Sequence, residues 1–356
     1  MRLVYGPARR LLLPPLLLLL ALLAAASCGP VRTFPATLPI TGGQPSLVPA
    51  PFITGSDQLV PLTSGPAAFS AIVDALARAR RSIELELYEF QRVDLAALVL
   101  NAHDRGVDVT AIEDPSESSS RSIWAQLEQG GVRVVAFPIE RLTIDHVKLL
   151  IVDGAQAIVG GINWGRKSAA NQDFDVIATG PVVNNLDRIF RQDLALSGVA
   201  SPIPPASPDR LVQVLVTRPG DGIRAAALAA IAAAHHSIDL EMYVLSDRLV
   251  IDALVAATKR GVELRVLLDP TQSQNAVTLA QLNAAGANVR FYLQAGDELL
   301  HAKAAIIDGS VILFGSCNWS RSGFTRNHEL DLLIQDSRLA AIFSQRVAQD
   351  WASSSP

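Results

Sequence analysis

Residues 146–165 read HVKLLIVDGAQAIVGGINWG, and residues 301–320 read HAKAAIIDGSVILFGSCNWS. Each stretch carries His, any residue, Lys, four residues and Asp; after six further residues come Gly, a small residue, any residue, Asn and Trp. The two stand 155 residues apart. The same separation relates SIELELY (82–88) to SIDLEMY (237–243) and RGVDVTAIEDP (105–115) to RGVELRVLLDP (260–270). A constant offset over that length means one domain present twice, with few insertions between these points.

Within each copy an amphipathic helical pattern, at 66–80 and 221–235, leads into a strand that alternates acidic and apolar residues. A second helix and a β-branched strand ending in Asp-Pro follow. Helices alternating with strands predict an α/β class, and the duplication predicts two sheets related by a pseudo-two-fold axis. Pro202, Pro204, Pro205 and Pro208 divide the copies into a first lobe at 57–200 and a second at 209–352. Residues 29–56, with six prolines among Thr, Gly and Ser and no periodicity, read as a tether.

The N-terminal 28 residues read as an export signal, with Arg2, Arg9 and Arg10 before an apolar stretch from Leu11 to Ala26. Small residues ahead of Cys28 resemble a bacterial lipobox, although Ala25 stands where such boxes usually carry Leu. That resemblance implies acylation of Cys28 and anchoring to the outer face of a bacterial membrane. Ordinary cleavage and secretion, or an uncleaved anchor, are the alternatives; Pro14-Pro15 argues against a continuous spanning helix. Once Cys28 is used, only Cys317 remains, so no intramolecular disulfide is expected.

Alternation along a strand places His146 with Lys148, and His301 with Lys303, on a common face. One such pair is explained by a blunted strand edge. Two pairs at one offset, with Gly and Asn repeated downstream, are not. On these residues the chain resembles the phospholipase D superfamily, whose signature is a duplicated HxKxxxxD motif. The resemblance spans about residues 57–350. It implies two tandem α/β lobes, one active site at their interface built from both motifs, and no metal or other cofactor. The GGIN and GSCN segments are similar to members that act on phospholipids, including bacterial phospholipase D and cardiolipin synthase. Single-motif nucleases must dimerise, whereas here both half-sites lie in one chain and a monomer is expected.

A phosphodiester repels nucleophiles through its anionic oxygens, so its catalyst should surround it with positive charge and fixed donors. Lys148 and Lys303 supply the charge; Asn163, Asn318 and Ser316 are the expected phosphate hydrogen-bond donors. Of two histidines, one attacks phosphorus to give a phosphohistidine and the other protonates the leaving alcohol. The residues alone leave these roles open. The resemblance implies His146 as nucleophile and His301 as general acid and base. In the family a carboxylate downstream of each motif, often in an NxE triplet, holds a histidine. The matching triplets here are NHE, giving Glu329, and NQD, giving Asp173, with Asn327 and Asn171 expected at the rim; the alternative is that both are plain strand starts.

Asp153 and Asp308 precede glycines between apolar runs, a hairpin signal, and are expected to be structural. Glu86 and Glu241 face either the site or a solvated sheet face. Tyr88 and Tyr243 read as core. Trp164 and Trp319 either line the cleft mouth or pack at the hairpin end. His103, His235 and His236 read as surface residues, and His328 matches no role. Two His with two Lys make a poor zinc cage. Neither a GxxxxGK loop nor a GxSxG elbow occurs.

These readings lead to an expected phospholipid hydrolase, releasing phosphatidic acid and a head-group alcohol from membrane phospholipids, with water or an alcohol as acceptor. Phosphatidyl transfer, as in cardiolipin synthesis, is the alternative. A nuclease is disfavoured by the net charge of -4, and a catalytically silent scaffold by the intact motifs.

Overall fold

A computed structural model describes residues 50–139, 143–218 and 220–354. Cys28, the export signal and most of the expected tether lie outside the described residues.

The first lobe runs β1 (Phe52–Thr54), β2 (Asp57–Leu62), α1 (Gly65–Arg78), β3 (Ser82–Leu87), α2 (Val93–Asp104), β4 (Asp108–Glu113), α3 (Arg121–Gln129), β5 (Arg133–Ala136), β6 (Lys148–Val152), β7 (Gln156–Gly160), β8 (Asp175–Thr179) and α4 (Pro181–Leu196). The second runs β9 (Val212–Val216), α5 (Gly222–Ala233), β10 (Ser237–Met242), α6 (Arg248–Lys259), β11 (Glu263–Leu268), α7 (Ser273–Ala284), β12 (Asn288–Phe291), β13 (Lys303–Ile307), β14 (Val311–Gly315), α8 (Arg321–Thr325), β15 (Leu330–Gln335) and α9 (Ser337–Ser353). The strand orders are β1-β2-β8-β7-β6-β3-β4-β5 and β12-β11-β10-β13-β14-β15-β9. Apart from the added edge strand β1, the two sheets have one topology: β3 pairs parallel with β4 and antiparallel with β6, as β10 does with β11 and β13. The two α/β lobes expected from the repeat are therefore present.

Local chemistry sets the boundaries. Ser64 caps α1 by accepting a hydrogen bond from Ala67 N, with Pro66 in the first turn. The β6–β7 and β13–β14 hairpins turn on Asp153-Gly154 and Asp308-Gly309, all four at positive φ (56°, 61°, 49°, 60°). Two consecutive positive φ values make the type I′ turn that suits strand twist, and Asp-Gly accommodates it.

Three apolar layers follow. Helices α1 to α3 cover the outer face of the first sheet with Leu85, Leu150 and Trp124 among the buried residues. Helices α5 to α7 do the same for the second, with Leu240, Leu254 and Ile307. The central layer joins the lobes: Leu149, Val159 and Val176 meet Ala304, Ile312 and Leu332, with Phe190 of α4 and Phe343 of α9 between. Phe174 stacks on Phe343 at 4.6 Å, across the lobe boundary.

Two expectations need correction. The folded chain starts inside the expected 29–56 tether: Phe52–Thr54 pairs with Asp57–Leu59, and Thr54 Oγ1 donates to Asp336 Oδ2 at 2.7 Å. The proline-rich composition masks this short edge strand. Nor do the acidic positions of β3 and β10 face solvent. Glu86 and Glu241 are fully buried, because the inner face of each sheet is covered by the central layer.

Candidate active site

The paired His and Lys residues sit where the two lobes are stitched together. Lys148 and Lys303 are the first residues of β6 and β13, while His146 and His301 lie just ahead of the strands rather than within them. His146 N donates to His328 O at 2.8 Å, and His328 N to Ile144 O at 2.8 Å. His301 N donates to Gln172 O, and Gln172 N to Leu299 O, both at 2.9 Å. Each histidine is thus carried on a backbone pairing with the other lobe.

The side chains cross in the same way. His146 Nδ1 lies 2.8 Å from Glu329 Oε2, and His301 Nδ1 lies 2.7 Å from Asp173 Oδ2. Each carboxylate holds the histidine of the opposite lobe. A carboxylate on Nδ1 fixes the tautomer that leaves the Nε2 lone pair free. His146 Nδ1 also lies 3.1 Å from Ser316 O. Lys303 Nζ lies 2.8 Å from Nδ1 and 3.0 Å from Nε2 of His301 and donates to His301 O; Lys148 Nζ donates to His146 O. All four residues are at most 6% exposed.

Electrostatics follow from that burial. Desolvation lowers the His301 imidazole to about 4, with Lys303 adding repulsion. His146 is held well below its ordinary value by burial and then by Lys148 and Lys303. Burial brings Lys148 to about 7 and Lys303 to about 8, against the pull of nearby carboxylates. Glu329 is pushed up to about 7 by burial, with Lys148 opposing. A phosphate anion beside these groups favours both ammonium groups and an imidazolium. The cleft therefore suits an anion.

Asn163 and Asn318 are half-buried, and neither Oδ1 has a hydrogen-bond partner, so both amides remain uncommitted. Ser316 departs from its expected phosphate-binding role. Its hydroxyl is fully buried, donates to Glu329 Oε2 at 2.6 Å and accepts from Leu330 N at 3.0 Å. It orients the carboxylate. Asn327 Nδ2 donates to Glu329 Oε1 at 2.9 Å, and Asn171 Oδ1 accepts from Leu299 N at 3.2 Å. Asp153 and Asp308 are placed away from the cleft. Asp153 accepts from the backbone N–H groups of Arg80, Arg81 and Ser82, and Asp308 from those of His235, His236 and Ser237. Trp164 and Trp319 pack in the outer cores, not at the mouth.

Two symmetric pairs went unread in the sequence. Tyr88 and Tyr243, taken there as core, are half-buried with ring centroids 4.9 Å from His146 and His301. Lys148 and Lys303 lie 5.3 and 5.2 Å from the same rings. Asp175 and Asp331 are buried beside the motif glycines: a Cβ on Gly160 or Gly315 would fall 2.3 or 2.4 Å from their Oδ1 atoms. Their signal was the second acid in NQDFD and NHELD.

Paired His-Lys motifs meeting across a lobe interface, each His backed by a carboxylate, define the phospholipase D superfamily of phosphodiester-acting enzymes. Within it, the family described as cardiolipin synthase, PLD-like domain, matches residues 72–194 and 227–351, one repeat per lobe, and the chain belongs to it. The chain is 28% identical over 332 residues to cardiolipin synthase A of Pseudomonas fluorescens Pf-5, covering 83% of this chain and 69% of that protein. It is 27% identical over 352 residues to the cardiolipin synthase A of Pseudomonas syringae pv. syringae, covering 88% and 71%. Phosphatidylserine synthase of Haemophilus influenzae shares the fold, with a TM-score of 0.64, 14% identity and coverage of 85% and 87%. These relatives are named as synthases, which overturns the expectation of a phospholipid hydrolase. Among the described residues no helix is long and apolar enough to cross a membrane.

Proposed function

We propose that the protein is a phosphatidyltransferase of the cardiolipin synthase type, moving a phosphatidyl group from one phosphatidylglycerol to a second. The observation that carries this reading is the crossed pair of carboxylate-held histidines flanked by two lysines, in a chain whose relatives bear that name. His146 acts as nucleophile: its Nδ1–H has two acceptors, Glu329 and the Ser316 carbonyl, so the ring is anchored with Nε2 free. Nε2 attacks phosphorus, an N–P bond forms, and the P–O bond to glycerol breaks. The leaving oxygen takes the proton of the His301 imidazolium. His301 suits proton traffic because Asp173 holds its Nδ1 at 2.7 Å and leaves Nε2 to the substrate, with the charge of Lys303, held near 8, beside the ring. In the second half His301 removes a proton from the hydroxyl of the acceptor lipid, whose oxygen attacks phosphorus and releases His146. Lys148 and Lys303 offset phosphate charge, with Asn163 and Asn318 as donors. Both half-sites come from one chain, so a monomer suffices. We also place the enzyme on the outer face of a membrane, anchored through acyl-Cys28; failure of palmitate labelling, with no change in Cys28→Ala, would remove that part alone.

The test is to give the purified protein vesicles of labelled phosphatidylglycerol. Glycerol release with matching cardiolipin formation, abolished in His146→Ala and in His301→Ala, is expected. Accumulation of phosphatidic acid in place of cardiolipin, or no reaction, overturns the proposal.

A further inference from the structure

Behind the His146 half of the site lies a second cluster that the phosphoryl chemistry does not use. Glu86 of β3, Asp145 ahead of β6, Asp193 of α4 and His328 ahead of β15 are each at most 2% exposed. His328 Nε2 is 3.1 Å from Asp193 Oδ2 and 3.9 Å from Glu86 Oε1. One donor atom each from Glu86, Asp145 and His328 lies within 4.8 Å of the others. His328 is held in place by stacking on Phe137, ring centroids 5.1 Å apart. No N–H or hydroxyl group donates to either oxygen of Glu86 or to Asp145 Oδ2, and Glu86 meets only the carboxyl groups of Asp145 and Asp193 and the His328 ring. Three carboxyl groups and one imidazole therefore lie buried together, and buried charge of one sign must be neutralised.

The equivalent cluster of the other lobe contains an arginine. Glu241, the repeat partner of Glu86, lies beside Asp350 and Arg346, and Arg346 Nε donates to Asp350 Oδ2 at 2.7 Å. Helices α4 and α9 align through buried Leu186 and Leu339, Phe190 and Phe343, and Leu194 and Val347, each pair 153 residues apart. In that register Asp193 takes the position of Arg346. Asp145 and His328 stand where the other copy has Leu300 and Gln172. Where one lobe places a guanidinium, the other places a third carboxyl and adds an imidazole.

We infer that Glu86, Asp145, Asp193 and His328 bind one divalent first-row cation, of the zinc or manganese class, which anchors the His146 half of the active site without touching substrate. One imidazole with three carboxylates is a donor set for zinc or manganese; magnesium and calcium favour oxygen alone. Tetrahedral bonds of about 2.0–2.1 Å set donor atoms roughly 3.4 Å apart, so the 3.1 Å His328–Asp193 spacing fits and the wider pairs draw in. Asp145 immediately precedes His146 and His328 precedes Glu329, so the cation fastens both ends of that hydrogen bond to β3 and α4. It acts by position.

Metal analysis of the full chain, purified without chelator, decides the matter together with refolding from denaturant in EDTA, zinc or manganese. The expected result is about one cation per chain and a melting temperature about 5 °C or more higher with the metal than in EDTA. Glu86→Gln should lower the content to about a tenth per chain or less. Asp193→Arg, which rebuilds the arrangement of the other lobe, should yield metal-free protein whose melting is indifferent to EDTA. A wild-type chain without metal that refolds identically in all three buffers overturns the inference, because protons then neutralise the carboxyls. So does metal retained in both variants. If Asp193→Arg does not fold, the wild-type metal content and refolding still decide.

Discussion

Asp173→Asn tests whether catalysis depends on the crossed carboxylates. Asp173 is 1% exposed; its Oδ2 faces His301 Nδ1 at 2.7 Å and its Oδ1 accepts from Phe174 N at 3.1 Å. A Cβ on Gly161 would fall 2.1 Å from that Oδ1, so the carboxylate lies against bare backbone and has little room to shift. In the variant, the amide oxygen keeps the Phe174 bond and the NH₂ turns toward Nδ1. That forces the ring proton onto Nε2 and removes the lone pair His301 needs. The reverse amide orientation leaves the Phe174 N–H without an acceptor, at a cost of about 1–3 kcal/mol. An equivalent tautomer error in the serine-protease triad costs about 10⁴ in kcat. We expect a fall of about 10³–10⁴, or roughly 4–5 kcal/mol of barrier. The assay is quenched-flow cardiolipin formation from labelled phosphatidylglycerol, with nitrogen NMR of the imidazole reporting the tautomer. KM should change little, since no lipid contact is removed. A folded variant with kcat within about tenfold of wild type would refute the argument.

Acid should destabilise the fold through His301. Its value falls from 6.5 to about 4 on folding, so between those pH values the unfolded chain binds more protons and stability rises with pH. The loss from above 6.5 to below 4 is about 3 kcal/mol, checked by thermal melts of wild type and His301→Gln, whose curve should be flatter over that window. kcat/KM should decline as pH rises past about 7, where the free enzyme loses the Lys148 ammonium, and further past about 8, where it loses that of Lys303; profiles of Lys148→Arg and Lys303→Arg, each without its step, test this. Ser316→Ala removes a donor to Glu329 and strands Leu330 N–H; stability should drop by about 1–3 kcal/mol and kcat by about tenfold. Asp308→Ala loses three backbone contacts and a tolerated positive φ, costing about 1–3 kcal/mol in urea melts while kcat per folded molecule stays unchanged.

The sequence by itself determined the duplication, the α/β class, the four His and Lys residues and the Asp-Gly turns. Each of these is written in local spacing: a fixed offset, a strand period, a two-residue turn. It also singled out Glu329 and Asp173. What it did not determine was that each of them serves the histidine of the other lobe, because that partnership depends on how two sheets pack across the Phe174–Phe343 layer. The same limit explains Ser316, whose motif position suggested phosphate and whose buried hydroxyl is spent on Glu329. It explains Tyr88 and Tyr243 as well, since alternation gives a side chain's face but not what lies over it. Glu86 shows the point most sharply. Its strand pattern admits a solvated face, yet the central layer buries it beside Asp145, Asp193 and His328, residues brought from three other stretches of the chain by tertiary packing alone.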